Sequence, residues 1–224
     1  MERQNQTQQI SQQKVIRYGN ERVHLFYIFP LLYVLSVYLL PVFFSIAEED
    51  SIVSYMMYLP IVFGVLNIIV SVKFCKPENR NMMLNASVLV KYALIPFFIV
   101  GGFTLLAALF LAFIPVPFMI FLGPTIAAMG AAGGWLIVAF GSPYVIAYLR
   151  LSSKTNMKVK AIVIIHCILQ FFFTLDVIDV MYLALKEGKW KKLTIFIIVL
   201  LVLAAILLFA LGILGIVTVL VKGN

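Results

Sequence analysis

Six apolar runs alternate along the chain with short charged segments, each run long enough to cross a bilayer core at about 20 helical residues. They cover residues 23–47, 52–72, 84–113, 125–149, 161–185 and 193–221. From Tyr92 to Leu149, 58 consecutive residues contain no Asp, Glu, Lys or Arg. A buried helix of a soluble domain needs far less than that, and two crossings fit within it. The pattern predicts an all-α, polytopic transmembrane helical bundle over residues 23–224, with six helices. Pro30 and Pro41 are expected to kink the first helix, and Pro115 with Pro117 to end the third. Residues 1–22 hold six glutamines among Asn, Thr and Ser, too little apolar surface to offset chain entropy, so a disordered polar tail is expected there.

Composition agrees with the pattern. Charged residues make up 12% of the chain against about 25% in ordinary soluble domains. The net charge of +8 comes from Lys and Arg gathered between apolar runs rather than along a polar face. Anionic lipid headgroups are therefore the expected partner, and nucleic acid is not. Loop by loop the basic residues number four in the tail, none over 48–51, three over 73–80, none over 114–124 and four over 150–160. That alternation places the N-terminus in the cytoplasm. Four further lysines, Lys186, Lys189, Lys191 and Lys192, would then lie outside if all six runs cross. The alternative is five crossings with 161–185 not crossing, which puts the C-terminus outside. The nearly uniform apolarity of Ala161–Leu175 favours crossing.

Polar residues inside apolar runs are few. Lys91 lies about 10–12 Å along its helix, close enough for its ammonium to snorkel back to the interface. The fifth run holds His166, Gln170, Thr174, Asp176 and Asp179. On a continuous helix His166, Gln170 and Thr174 share one face, and both aspartates point away from it. By depth the aspartates fall near the far interface, where water or a lysine such as Lys186 would satisfy them. Asp176 and Asp179 also form D-x-x-D, a spacing that can hold a divalent cation, and Glu48, Glu49 and Asp50 would lie on the same side. His166 with Gln170 one turn on reads as interhelical hydrogen-bonding glue.

Gly130 and Gly134 are four apart and Gly141 follows, so a helix-packing face is expected within the chain or against a second copy. Alternatively, Gly123-Pro124 and the glycines before Trp135 mark a broken, re-entrant half-helix. Cys75 and Cys167 read as free thiols. No H-E-x-x-H or phosphate-binding G-x-x-x-x-G-K-[ST] motif is present, and Gly141-Ser142 is followed by Pro143 rather than by a second glycine. Zinc proteolysis, nucleotide-driven work and serine-nucleophile chemistry lose support accordingly. No cofactor is implied.

The runs KYALIPFF, from Lys91, and QFFFTLDVIDVMYLALKE, from Gln170, resemble segments of an uncharacterised bacterial family of small multi-pass membrane proteins, over about two thirds of the chain. The resemblance implies a bacterial cell membrane and no activity or site residues. The expected function is that of a non-enzymatic, transport-related component or a subunit that packs against a membrane-protein partner. The alternative is a membrane-embedded enzyme acting on a lipid or polyprenyl substrate through Asp176, Asp179 and a divalent cation.

Overall fold

The structure, a computed structural model, describes residues 26–46, 52–152 and 157–222. The polar tail at 1–22 and the acidic turn Glu48–Asp50 lie outside the described residues. Within them there is helix and no strand. Helix α1 spans Phe26–Ile46. Helices α2 (Ile52–Met56) and α3 (Leu59–Lys73) follow, then α4 (Arg80–Phe110), α5 (Met119–Phe140) and α6 (Pro143–Ser152). Helices α7 (Met157–Leu169), α8 (Leu175–Lys186) and α9 (Lys191–Lys222) complete the order.

Among the described residues five helical stretches are long and apolar enough to cross a membrane: Phe26–Ile46, Ser54–Lys73, Pro77–Phe113, Met119–Phe140 and Lys191–Ala210. Their number matches the five-span alternative. Two of the expected continuous runs are broken. The fourth begins earlier, at Met119, and stops at Phe140, because Pro143 lacks an N–H and disfavours helix at Ser142; α6 then restarts with Pro143 in its first turn. The fifth splits into α7 and α8 around residues 170–174, where Thr174 adopts φ 70°. A β-branched residue in the left-handed region is a backbone outlier, and it ends the helix without any Gly or Pro. The re-entrant reading of the glycines before Trp135 is not what forms: α5 runs unbroken through them.

Residues up to Val180 and residues from Met181 onward make two compact units. In the first, the core is built from Tyr33 and Val37 of α1, Met83 to Leu94 of α4, Val138 of α5 and Tyr144, Val145 and Tyr148 of α6. Beyond Pro96 most large side chains of α4 turn outward, Val100, Phe103 and Phe110 among them, as suits a lipid-facing surface, while Ala108 stays buried. Near this proline the carbonyl of Ala93 accepts from the Tyr38 hydroxyl at 2.6 Å. In the second unit Gly188, at φ 68°, closes α8: its N–H reaches the Leu185 carbonyl and the N–H of Lys189 the Ala184 carbonyl, both at 3.0 Å. The apolar helix α9 follows.

Helix α5 meets its neighbours through small residues. A methyl group on Gly123 would collide with the Ala108 carbonyl and lie 3.0 Å from the Ala112 nitrogen, so the α4 and α5 backbones touch there. At Gly130 it would meet Leu105 at 2.5 Å, at Gly134 the Phe173 ring at 3.3 Å and at Gly141 Val90 at 3.3 Å. Around Gly133 space is open. Gly123→Ala should therefore lower stability by about 1–3 kcal/mol, because a backbone carbonyl cannot swing aside as a side chain can. Gly133→Ala should be neutral or stabilising by up to about 1 kcal/mol through helix propensity. Thermal unfolding of the purified variants checks both, and equal behaviour of the two would refute close packing at Gly123.

Candidate functional site

Lys91 lies 11 residues beyond the start of α4 at Arg80, about 16 Å along the axis. Snorkelling is not the outcome. Its side chain is 1% exposed, and the ammonium makes an ion pair of 2.7 Å with Asp176. Its other donors reach the Ser142 hydroxyl at 2.9 Å and the Val138 carbonyl at 3.4 Å, so each of its three protons has an acceptor. The Val138 carbonyl belongs to the last turn of α5, where intrahelical partners run out, and the break at Ser142 turns it toward the lysine. The single hydroxyl proton of Ser142 faces the carbonyls of Val138 at 2.7 Å and Gln170 at 3.0 Å. Ser142 thus joins α5, α4 and the α7–α8 bend.

The bend itself is pinned from one side. Trp135 of α5 donates its indole N–H to the Phe171 carbonyl at 3.1 Å, and the Phe173 ring packs edge-on against Phe98 of α4. On an unbroken helix His166 and Asp179 would stand about 20 Å apart along the axis. Instead, Nδ1 of His166 is hydrogen-bonded to Oδ1 of Asp179, while Gln170 donates from Nε2 to Oδ2 at 2.6 Å. The expectation that the aspartates stay clear of His166 is therefore corrected: the bend turns α8 back toward α7. Asp176 sits in the first turn of α8, at the positive end of the helix dipole, and Asp179 lies just beyond that turn.

Both carboxylates are buried, not solvated at an interface. Asp176 is engaged by Lys91 and Asp179 by His166 and Gln170, so the D-x-x-D pair does not converge on a common cation. Among the described residues no group of three or more His, Cys, Asp or Glu is placed to hold a metal ion. Of the side chains in the cluster His166 is the accessible one, at 16% exposure against 2% for Asp179. One acceptor has no donor: Oε1 of Gln170 is buried and unpaired among the described residues. The amide cannot be turned over to cure this, because Asp179 requires its N–H.

Further polar bridges brace the surroundings. Tyr33 of α1 donates to the Ile137 carbonyl at 2.6 Å and Tyr144 of α6 to Asn67 of α3 at 2.8 Å. Arg80 bonds Ser152 and Tyr148 of α6 at 3.0 and 3.1 Å and lies over the Tyr148 ring. Sequence reading missed Lys91 and Ser142 as members of the cluster. The one signal available was Lys91 itself, a lone ionisable residue within an apolar run.

A family model described as "Family of unknown function (DUF6652)" matches residues 22–192, more than three quarters of the chain. The chain belongs to that family. The DUF6652 match includes Lys91, Ser142, His166, Gln170, Asp176 and Asp179, and it takes in both runs on which the sequence resemblance rests; nearly all of α9 lies beyond it. No curated protein and no solved structure matches the chain. For this DUF6652 member, chemistry is therefore read from the cluster itself.

Removing one partner of a buried ion pair leaves the other charge stranded. Lys91→Met should destabilise the protein by about 3–5 kcal/mol, whereas Lys91→Met with Asp176→Leu should recover most of that loss. Thermal unfolding of the two variants in the same detergent checks it. A double variant no better than the single one would mean that the pair is not the dominant interaction at this position.

Proposed function

We propose that this is a non-enzymatic, multi-pass protein of the cell membrane whose transport-related task runs through the Lys91, Asp176, Asp179 and His166 cluster, with a small cation as the species handled. The observation that supports it is the burial of two carboxylates and an ammonium together beside a helix break. Ionisable groups are expensive among apolar helices and are found where charge must move or bind. A purely structural role is disfavoured by cost, since apolar side chains of similar volume would hold the helices as well or better. The enzymatic alternative has less support, because both aspartates are already engaged by separate partners.

The same break bears on orientation. A segment that enters and turns back returns the chain to the side it left. The basic segments 73–80, 150–160 and 186–192 then all face the cytoplasm with the tail, as the charge rule favours. Arg80 bonding to Tyr148 and Ser152 agrees with a shared side for the first two. In this topology the N-terminus is cytoplasmic and Asn224 external. A reporter fused after Asn224 should be active outside; a cytoplasmic reading would restore six crossings.

Transport is tested in vesicles of phosphatidylethanolamine and phosphatidylglycerol containing the full chain. Under an imposed gradient of H⁺, Na⁺ or K⁺, wild type should pass at least one of these ions faster than empty vesicles. Asp179→Asn should reduce that flux tenfold or more. Fluxes equal to those of empty vesicles for all three ions would overturn the reading.

A further inference from the structure

In the second unit, charge gathers at the turn between α8 and α9. Lys186, Lys189, Lys191 and Lys192 lie within seven residues with one acidic neighbour, Glu187, so the segment carries a net charge of +3. Lys186, Lys191 and Lys192 are exposed and Lys189 is half-buried. Two aromatic residues accompany them. The Lys186 ammonium lies 5.8 Å from the centre of the Tyr182 ring, one turn back on α8, and Trp190, between Lys189 and Lys191 in the chain, is 46% exposed. Beyond Lys192 the surface becomes apolar at once: Leu193, Ile195 and Phe196 are exposed along the candidate span Lys191–Ala210. In the basic segment 73–80, by contrast, Arg80 is committed to Ser152 and Tyr148.

The backbone of the turn bears on what meets this surface. Gly188 and Trp190 both have positive φ, 68° and 56°. Glycine takes that conformation freely, whereas for a bulky residue it is an outlier. The Trp190 carbonyl accepts the Thr194 N–H at 2.8 Å and the Thr194 hydroxyl at 3.0 Å, which ties the residue to the start of α9. A glycine or asparagine would make the same turn and the same carbonyl contacts with less strain. What the tryptophan adds is an exposed indole beside the lysines. An acidic soluble partner would meet the lysines and leave the rings and the apolar flank without a use. The interface of an anionic bilayer takes up all three: phosphates for the ammonium groups, the headgroup boundary for the rings and acyl chains for the flank. We propose that the α8–α9 turn is a binding site for anionic phospholipid headgroups, with Lys186, Lys189, Lys191 and Lys192 on the phosphates and Trp190 and Tyr182 at the boundary. A lysine near an anionic surface is worth roughly a fivefold preference, so four of them separate an anionic from a neutral lipid. The proposal gives the expected preference for anionic headgroups a place in the fold and does not depend on the cation-handling role.

Trp190 itself serves as the reporter. The chain holds two tryptophans, Trp135 and Trp190, so the fluorescence of wild type less that of Trp190→Phe isolates the one at the turn. The full chain is reconstituted in phosphatidylcholine vesicles in which a minor fraction of the lipid is brominated near the top of its acyl chains, as either phosphatidylglycerol or phosphatidylcholine. Brominated phosphatidylglycerol should quench Trp190 at least about twofold more than the same fraction of brominated phosphatidylcholine. That preference should vanish in about 1 M NaCl, where the screening length falls to about 3 Å. It should vanish also when Lys186→Gln, Lys189→Gln, Lys191→Gln and Lys192→Gln are combined. If the fourfold variant does not fold, Lys191→Gln with Lys192→Gln should at least halve the preference. Equal quenching of wild type by the two lipids would overturn the site and leave the turn to an acidic protein partner. A preference that survives the lysine changes, or one that survives the salt, would overturn it as well, because these charges would then not be what holds the lipid.

Discussion

The polar interior of the first unit depends on one constraint, that an ammonium buried among apolar helices must find partners for its charge and its protons. Lys91 satisfies it with a carboxylate, a hydroxyl and a carbonyl, each delivered by a different structural device. The carboxylate needs α8 to point inward. The hydroxyl needs α5 to stop at Phe140, and the carbonyl needs that stop to leave a last-turn oxygen unused. Pro143 accomplishes the second and third together. Had the fourth run remained helical to Leu149, the Val138 carbonyl would have accepted the Ser142 N–H within the helix ladder.

The bend between α7 and α8 is the second half of that solution, and it brings a strained residue with it. Thr174 at positive φ costs on the order of 1–3 kcal/mol in most settings, and it persists where surrounding contacts over-determine the backbone. Here Trp135, Ser142 and Phe98 fix the turn from outside, while Asp179 on Gln170 and His166 fixes it from within. The glycines of α5 are part of this too, since Gly134 leaves room for the Phe173 ring and Gly141 for Val90. Small residues on α5 thus let the polar cluster be walled by aromatic and branched side chains.

The class of fold was plain in the sequence. Long uncharged runs, loop prolines and basic segments mark all five candidate spans and fix both ends of the first two to within a few residues, because bilayer thickness acts locally on composition. The fifth run was misjudged for a reason equally physical. Helix periodicity assumes a continuous helix, and Gln170-Phe-Phe-Phe-Thr174 contains neither Gly nor Pro to warn of a break. Once the break is in place the helical wheel that separated Asp179 from His166 no longer applies. The partner of Lys91 was illegible for a second reason: a contact across 85 residues leaves no trace in local pattern. The residues themselves were visible as candidates, His166, Gln170, Asp176 and Asp179 among them. Their grouping came only with the fold.

That separation of 85 residues also sets a schedule for assembly. Lys91 is synthesised well before Asp176, and at about 5–20 residues per second its partner follows roughly 4–17 s later. During that interval the ammonium has no carboxylate to meet. Its long aliphatic stem lets it reach toward the headgroups of the basic side, or remain within the insertion machinery, until α8 arrives. The interfacial pose that the finished protein does not use is thus a natural waiting state for the nascent chain, and the ion pair is the event that ends it.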